Sequence, residues 1–324
     1  MFEQAKLIQL LNSYTQKQTF ESGPQNLYSP VRYILNIGGK RIRPLLTLMA
    51  AEAFGGPAEE VLPGAFAIEL FHNFSLLHDD IMDEAPLRRG EPSVHIKYGV
   101  NSGILSGDVM LVLVYEYLRQ MPNDNMFKSI LTLFNSSAIE VCEGQQLDVD
   151  FETMSDVQEG LYMEMIEKKT AALLGAALGI GAYPYASLED AKKLILFGRN
   201  LGIAFQLQDD LLDTFGDSFK VGKQKGGDIL QNKKTILTIQ AKKTANSVDA
   251  ERLDYLYSTS DYDKEKKIKE VTAIYSRSGA KGYTEEKIKF YQNQALKNLD
   301  ELLISNTAKQ PFYQLVQQLM QREY

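Results

Sequence analysis

The chain has 324 residues, 44% of them hydrophobic, which is enough to bury a large core and by length alone is compatible with about two domains. A formal net charge of −7 gives no general basic surface for nucleic acid, and a lone cysteine, Cys142, excludes an internal disulfide. No apolar run reaches the ~18 residues of a membrane span, and the opening MFEQAKLIQLLNSY is amphipathic where a leader would be charged and then apolar; the expectation is a cytoplasmic protein.

Apolar residues recur at three- and four-residue spacing almost throughout, and β-branched alternation is scarce, so the chain reads as helical. The predicted helices are, in order, 2–17, 29–37, 43–54, 58–84, 101–120, 125–150, 155–182, 187–215, 232–245, 247–257, 262–278, 283–304 and 309–322. Pro44 suits a first turn, and Ser187 with Asp190 has the spacing of a capping box. Gly38-Gly39, Gly55-Gly56 and Tyr183-Pro184 are stop signals. Several helices are apolar over much of their surface, which argues for a buried central layer. No linker, low-complexity stretch or short repeat divides the sequence, so a single all-helical domain over 1–324 is expected, with GDSFKVGKQKGGD its one conspicuous Gly/Lys loop.

The segment LLHDDIMDEAPLRRG places Asp79, Asp80 and Asp83 at the end of an apolar helix. Asp79 and Asp83 are four apart and share a helix face. The pattern returns in AFQLQDDLLDTFGD as Asp209, Asp210 and Asp213. A single copy is more often a solvated helix end; two copies, each against a core-type helix, make that reading much weaker, and if the two helices face each other up to six carboxylates converge. Unpaired, such charge is costly to bury. Clustered carboxylates suit a hard divalent cation, and magnesium best when a phosphate completes its shell. No EF-hand pattern favours calcium, and His72, His78 and His95 lack zinc-ligand spacing.

Cations stand where a diphosphate would need them. GGKRIRP brings Lys40, Arg41 and Arg43 after a flexible glycine pair and before a helix start. Arg88 and Arg89 follow the first aspartate motif, and arginine's fork matches phosphate. Lys168, Lys169 and Thr170 precede a small-residue helix; Lys223, Lys225, Lys233 and Lys234 follow the second motif. Taken singly, each cluster is ordinary solvated surface, and an apolar-face lysine usually snorkels. His72 lies seven residues before Asp79, within about 20° on the helix; alone it would read as a satisfied core histidine.

GGKRIRP, LLHDDIMDEAPLRRG, EGQQLD, KT, FQLQDDLLD, GK and NKKT, running in this order from Gly38 to Thr235, resemble the trans-isoprenyl diphosphate synthases, the family of farnesyl and geranylgeranyl diphosphate synthases. The resemblance implies an all-α bundle of the isoprenoid synthase type with a central cavity, and a homodimer. It implies that Asp79, Asp83 and Asp209 bind three magnesium ions (manganese as a substitute) on an allylic diphosphate, with Asp80, Asp210 and Asp213 in support. Arg88, Lys169, Lys223 and Lys233 would hold that diphosphate, with Thr170 and Gln206 beside it. Lys40, Arg43, His72 and Arg89 would hold isopentenyl diphosphate, and Gln145 and Asp148 would line the site. The family's basic C-terminal tail is reduced here to Arg322.

Phe74 lies five residues before Asp79, about 7.5 Å along the axis and some 140° around it. Ser75 beside it is small, and Phe71 is bulky one turn lower. In the resembling family an aromatic residue at Phe74 marks short and medium products, and the first motif lacks the two-residue insertion of bacterial farnesyl synthases, so geranylgeranyl diphosphate is favoured and farnesyl diphosphate comes next. Ordinary core packing is the competing reading of Phe74. Two rival functions remain at this point. A class I terpene cyclase shares the fold and first motif but has a different second motif and no need of Lys40, Arg43 and His72. A non-catalytic partner subunit would typically lose one aspartate motif, and this chain keeps both.

Overall fold

The computed structural model describes residues 4–21, 23–216, 226–259 and 262–320. Lys223, Lys225 and Arg322 lie outside them. The described chain is all-α apart from one two-residue hairpin, as the periodicity predicts, and none of its helices is long and apolar enough to cross a membrane. Its contacts gather into two compact units.

The first unit takes residues 1–135, 176–194 and 303–311. It holds α1 (Gln4–Gln16), α2 (Gln25–Asn36), α3 (Ile42–Ala53), a 3₁₀ turn (Ala58–Val61), α4 (Leu62–Met82), the hairpin strands β1 (Leu87–Arg88) and β2 (Glu91–Pro92), α5 (Val94–Tyr98) and α6 (Val100–Leu118). Here α4 is central: Ala65, Phe66, Ala67, Ile68, Leu70 and Phe71 are all buried, around its whole circumference. It lies close along α6 because α6 has no side chain at two contact points. A Cβ on Gly107 would stand 2.2 Å from His78 Nε2, and one on Gly103 would stand 2.9 Å from Ile81 Cδ1. The helix expected over 58–84 is divided: Pro63, lacking an N–H, opens α4, and the preceding turn is 3₁₀. α2 begins four residues earlier than expected and carries Pro30 within it; the buried Ser106 hydroxyl of α6 donates to Leu27 O at 2.8 Å in the turn that Pro30 interrupts.

The second unit takes 136–175, 195–302 and 312–324. The long helices α7 (Asp124–Thr153), α9 (Ala172–Ala182) and α10 (Leu188–Phe215) contribute to both units. The second unit further holds α8 (Glu159–Ile166), α11 (Gly227–Leu230), α12 (Ile236–Thr244), α13 (Ser247–Ser258), α14 (Lys264–Arg277) and α15 (Ala280–Asp300), while α16 (Asn306–Met320) begins in the first. Its core joins Phe151, Tyr162, Leu207, Leu211, Leu253 and Tyr275. Caps set its helix starts: Asn246 accepts from Asp249 N at 2.9 Å and Asp263 from Lys266 N at 2.8 Å. In the first unit, Ser187 accepts from Asp190 N at 3.1 Å, the expected capping box. The single helix expected over 155–182 is broken by a π turn at Glu167–Ala171.

Candidate active site

Each aspartate motif divides in the same way. In the first, Asp80 is buried at 1% exposure and both its oxygens accept from the Arg88 guanidinium, with Nε at 3.0 and 3.1 Å. Asp79 is half-buried and Asp83 exposed. In the second, Asp210 is buried; its Oδ2 accepts from the Tyr162 hydroxyl and its Oδ1 from Gln206 Nε2 at 3.0 Å. Asp209 and Asp213 are half-buried. The cause is the 100° step of the helix. The first and last aspartates share a face, and the middle one turns toward the packed side. Burial, followed by the charge of Asp228, raises the Asp210 carboxyl to about 8, so the proton it holds is one an exposed carboxylate would have lost.

Arg88 and Arg89 are placed by a tight hairpin. Leu87 pairs with Pro92 and Arg88 with Glu91, leaving Arg89 and Gly90 as the two loop residues, with φ of 54° and 84°. Positive φ at both loop positions is the signature of a type I′ turn, and for a non-glycine residue such as Arg89 it is a strained conformation. Arg88, in the strand before the turn, lies on Asp80, and the turn lays Arg89 over the Gly38-Gly39 loop. A Cβ on Gly39 would lie 2.7 Å from the Arg89 guanidinium, so glycine there is what admits the arginine. Arg43 Nη1 donates to His72 Nε2 at 3.2 Å. Of the four residues expected at isopentenyl diphosphate, Arg43 and His72 are thus in direct contact, and Arg89 reaches the loop that carries Lys40. Arg41 is turned elsewhere, onto Asn12 Oδ1 and Leu35 O.

Burial, followed by the charges of Arg43, Arg89 and Arg88, holds His72 well below its usual 6.5. It is therefore neutral at pH 7 and accepts the arginine N–H. On unfolding it regains ordinary basicity, so below pH 6.5 the unfolded chain takes up a proton that the folded chain refuses. Stability contributed by this group is full above that pH and is lost as pH falls, with a slope approaching about 1.4 kcal/mol per pH unit. His72→Gln keeps a neutral acceptor and should remove this part of the slope. Urea melts of both proteins between roughly pH 7 and pH 5 test it; parallel curves would mean that His72 titrates normally.

In the second unit, Lys169 Nζ reaches Asp148 Oδ2 at 2.6 Å, and Thr170 Oγ1 donates to Gln206 Oε1 at 3.0 Å. Thr170, Gln206, Asp210 and Tyr162 therefore form one hydrogen-bonded series. Lys169 and Thr170 stand on the π turn, a device common at functional sites. Two glycines let neighbouring helices close on it: a Cβ on Gly144 would lie 2.3 Å from Lys169 N, and one on Gly202 would lie 2.6 Å from Ala171 Cα. Asp213 Oδ2 accepts from Asp228 N at 3.0 Å at the start of α11, and Lys233 Nζ lies 3.8 Å from Asp228 Oδ1. Gln145 Oε1 is buried with no hydrogen-bond partner among the described residues.

Three participants escape sequence reading. Tyr162 anchors Asp210 from 48 positions away. Glu69, fully buried on α4 and bonded by Asn73 Nδ2 at 3.1 Å, offsets the positive charge of Arg41, Arg89 and Arg43. The π turn has helical periodicity and leaves no signal except the glycines opposite it. The chemistry of the donors also bears on metal. Among the described residues no three His, Cys, Asp or Glu side chains form a cage that could hold an ion by themselves. Paired carboxylates on one helix face fit magnesium that takes few protein ligands and completes its shell with phosphate and water.

The model of the polyprenyl synthetase family matches residues 24–275. A short chain isoprenyl diphosphate synthase of Methanothermobacter thermautotrophicus is 38% identical over 308 residues, 93% of this chain and 92% of that protein. The crystal structure of a geranylgeranyl pyrophosphate synthase superposes with a TM-score of 0.95 at 41% identity, covering 100% of both chains. That of a geranylgeranyl pyrophosphate synthase from Corynebacterium glutamicum, complexed with isoprenyl diphosphate and magnesium, gives 0.84 at 28% identity over 99% of this chain and 97% of that one. The chain belongs to the polyprenyl synthetase family.

Proposed function

We propose that this protein is a trans-prenyltransferase that condenses isopentenyl diphosphate with an allylic diphosphate and that geranylgeranyl diphosphate is its principal product. The observation that carries the reading is the repeated D-D-x-x-D with its middle aspartate tied inward and its outer carboxylates on one helix face. Asp79, Asp83, Asp209 and Asp213 hold magnesium, with Asp80 and Asp210 as inner anchors. Bound magnesium would neutralise the diphosphate as negative charge develops on it. Arg88, Lys169, Lys223 and Lys233 hold the allylic diphosphate, with Thr170 and Gln206 beside it. Their fixed positive charge stabilises the leaving group as the carbon–oxygen bond breaks. Lys40, Arg43, His72 and Arg89 hold isopentenyl diphosphate so that its double bond meets the allylic cation. The proton then lost passes to the departed diphosphate. Apolar walls exclude water, which would otherwise quench the cation.

Arg88 is spoken for by Asp80 in the present structure, so its part in binding requires the diphosphate to share or displace that contact. The proposal of a homodimer is supported by α6, which exposes Leu105 at 58% and Val112 at 67% together with Ile104 and Tyr115. The test of the reading is consumption of isopentenyl diphosphate by the purified protein. It should require both an allylic diphosphate and magnesium and stop in excess chelator; full activity in chelator would end the proposal.

Phe74 is proposed as the residue that limits product length. It is half-buried and stands between Phe71, with centroids 5.5 Å apart, and His78, at 4.8 Å. Phe71 in turn packs edge-on against Phe134 at 5.3 Å. This aromatic row descends α4 from the first motif, and Ser75 beside it donates to His72 O at 2.9 Å. Phe74→Ala should give longer products with activity largely kept. Were Phe74 only core, the change would cost about 3–5 kcal/mol and leave the product unchanged. Product chromatography beside a melting curve separates the two.

A further inference from the structure

Lys267 is a buried lysine that the reaction as described does not use. It lies on α14 at 5% exposure. Burying an ammonium is costly, and apolar packing would fill the same space more cheaply. Its partner is also not a carboxylate. Nζ donates to Asn232 Oδ1 at 2.6 Å and lies 5.6 Å from the centre of the Tyr257 ring. Asn232 has φ 56°, in the left-handed region, and immediately precedes Lys233. Ile268, the next residue of α14, lies where a Cβ on Gly226 would be, at 2.7 Å.

The segment from Gly226 to Lys233 is therefore held at both ends. At its start, Gly226 N and Asp228 N donate to the backbone and carboxylate oxygens of Asp213, at 2.8 and 3.0 Å. At its end, Lys233 N donates to Asp228 O at 2.9 Å, and Thr238 Oγ1 donates to Lys233 O at 3.1 Å. The Lys267 ammonium fixes the one residue between α11 and Lys233 whose backbone is in a strained conformation. We propose that Lys267 is a positioning residue for the allylic diphosphate: it holds Asn232 in its left-handed turn and so aims Lys233. The proposal rests on the assignment of Lys233 to that diphosphate.

The test is steady-state kinetics of the full-length enzyme with farnesyl diphosphate and isopentenyl diphosphate varied in turn, beside melting curves. Lys267→Met keeps the volume and removes the ammonium. Asn232→Gly keeps the positive φ and removes the acceptor, so it probes the same contact without depending on α14. Each should raise KM for farnesyl diphosphate about tenfold or more, as small displacements of a binding group do, while KM for isopentenyl diphosphate stays put. Combining the two should add nothing further, and Lys267→Arg should restore part of the loss. In a Lys233→Ala background, Lys267→Met should have no additional effect on KM. A Lys267→Met enzyme that melts earlier with both KM values unchanged would overturn the proposal, as would full additivity with Lys233→Ala. If Lys233→Ala alone left the farnesyl diphosphate kinetics untouched, the assignment of Lys233 would fall, and this proposal with it.

Discussion

Asp79→Ala and Asp209→Ala should each lower kcat by several orders of magnitude at saturating substrate, with melting temperatures close to that of the unchanged protein. Each removes one of the outer carboxylates proposed to hold magnesium against the diphosphate. Loss of one preorganised electrostatic contact typically costs about 3 kcal/mol or more of transition-state stabilisation. Asp80→Asn should behave differently. Asp80 is buried and bonded through both oxygens to Arg88. Removing its charge leaves the guanidinium without its counter-charge and with one acceptor fewer, so part of the cost appears in the melting curve. Rates and melts of the three variants measured side by side test the division. An Asp79→Ala enzyme with a near-normal rate would show that the outer carboxylates are not the working ones.

Arg89→Gln should raise KM for isopentenyl diphosphate by roughly ten- to a hundredfold, the cost of one charged hydrogen bond, ~1.5–3 kcal/mol, and leave KM for the allylic substrate nearly unchanged. Gly39→Ala should act in the same direction, because its methyl group would occupy the place of the Arg89 guanidinium. Arg43→Gln is expected to cost stability as well, since it breaks the contact with His72 and removes one of the positive charges facing buried Glu69. Kinetics with each substrate varied in turn decide the matter. Equal effects on both substrates would mean that the two diphosphate sites are wrongly divided among these cations.

The parts of the site that were legible in the sequence are those fixed by short-range chemistry. Paired carboxylates four residues apart and a glycine pair before a cationic helix start are local patterns, as, in the fold, is the capping box at Ser187. The division of each motif into outer and inner aspartates needs the packing. Asp80 meets an arginine eight residues on, in the first strand of the hairpin, and Asp210 a tyrosine on another helix. Gly90 suits the second positive φ of the hairpin turn, but Arg89 at the first gives no local sign of it, since Asn, Asp or Gly is the usual residue there. Nothing local marks the π turn, because EKKTA keeps the helical spacing of its surroundings; Gly144 and Gly202, which make room for it, are far along the chain. Glu69 was hidden for the opposite reason. A lone charge in an apolar helix carries no signal until the arginines facing it are known. The expected start of α2 is misplaced where proline stands inside the helix, at Pro30, whereas the start expected at 247 falls at Ser247, capped by Asn246.

The most direct test of the proposed function is the mass of what the protein makes. Purified protein would be given magnesium, isopentenyl diphosphate and, in separate reactions, dimethylallyl, geranyl and farnesyl diphosphate. The expected result is stepwise chain growth from each, ending at geranylgeranyl diphosphate, with no hydrocarbon released. Release of a cyclic hydrocarbon without consumption of isopentenyl diphosphate, or no product from any allylic substrate, would contradict it.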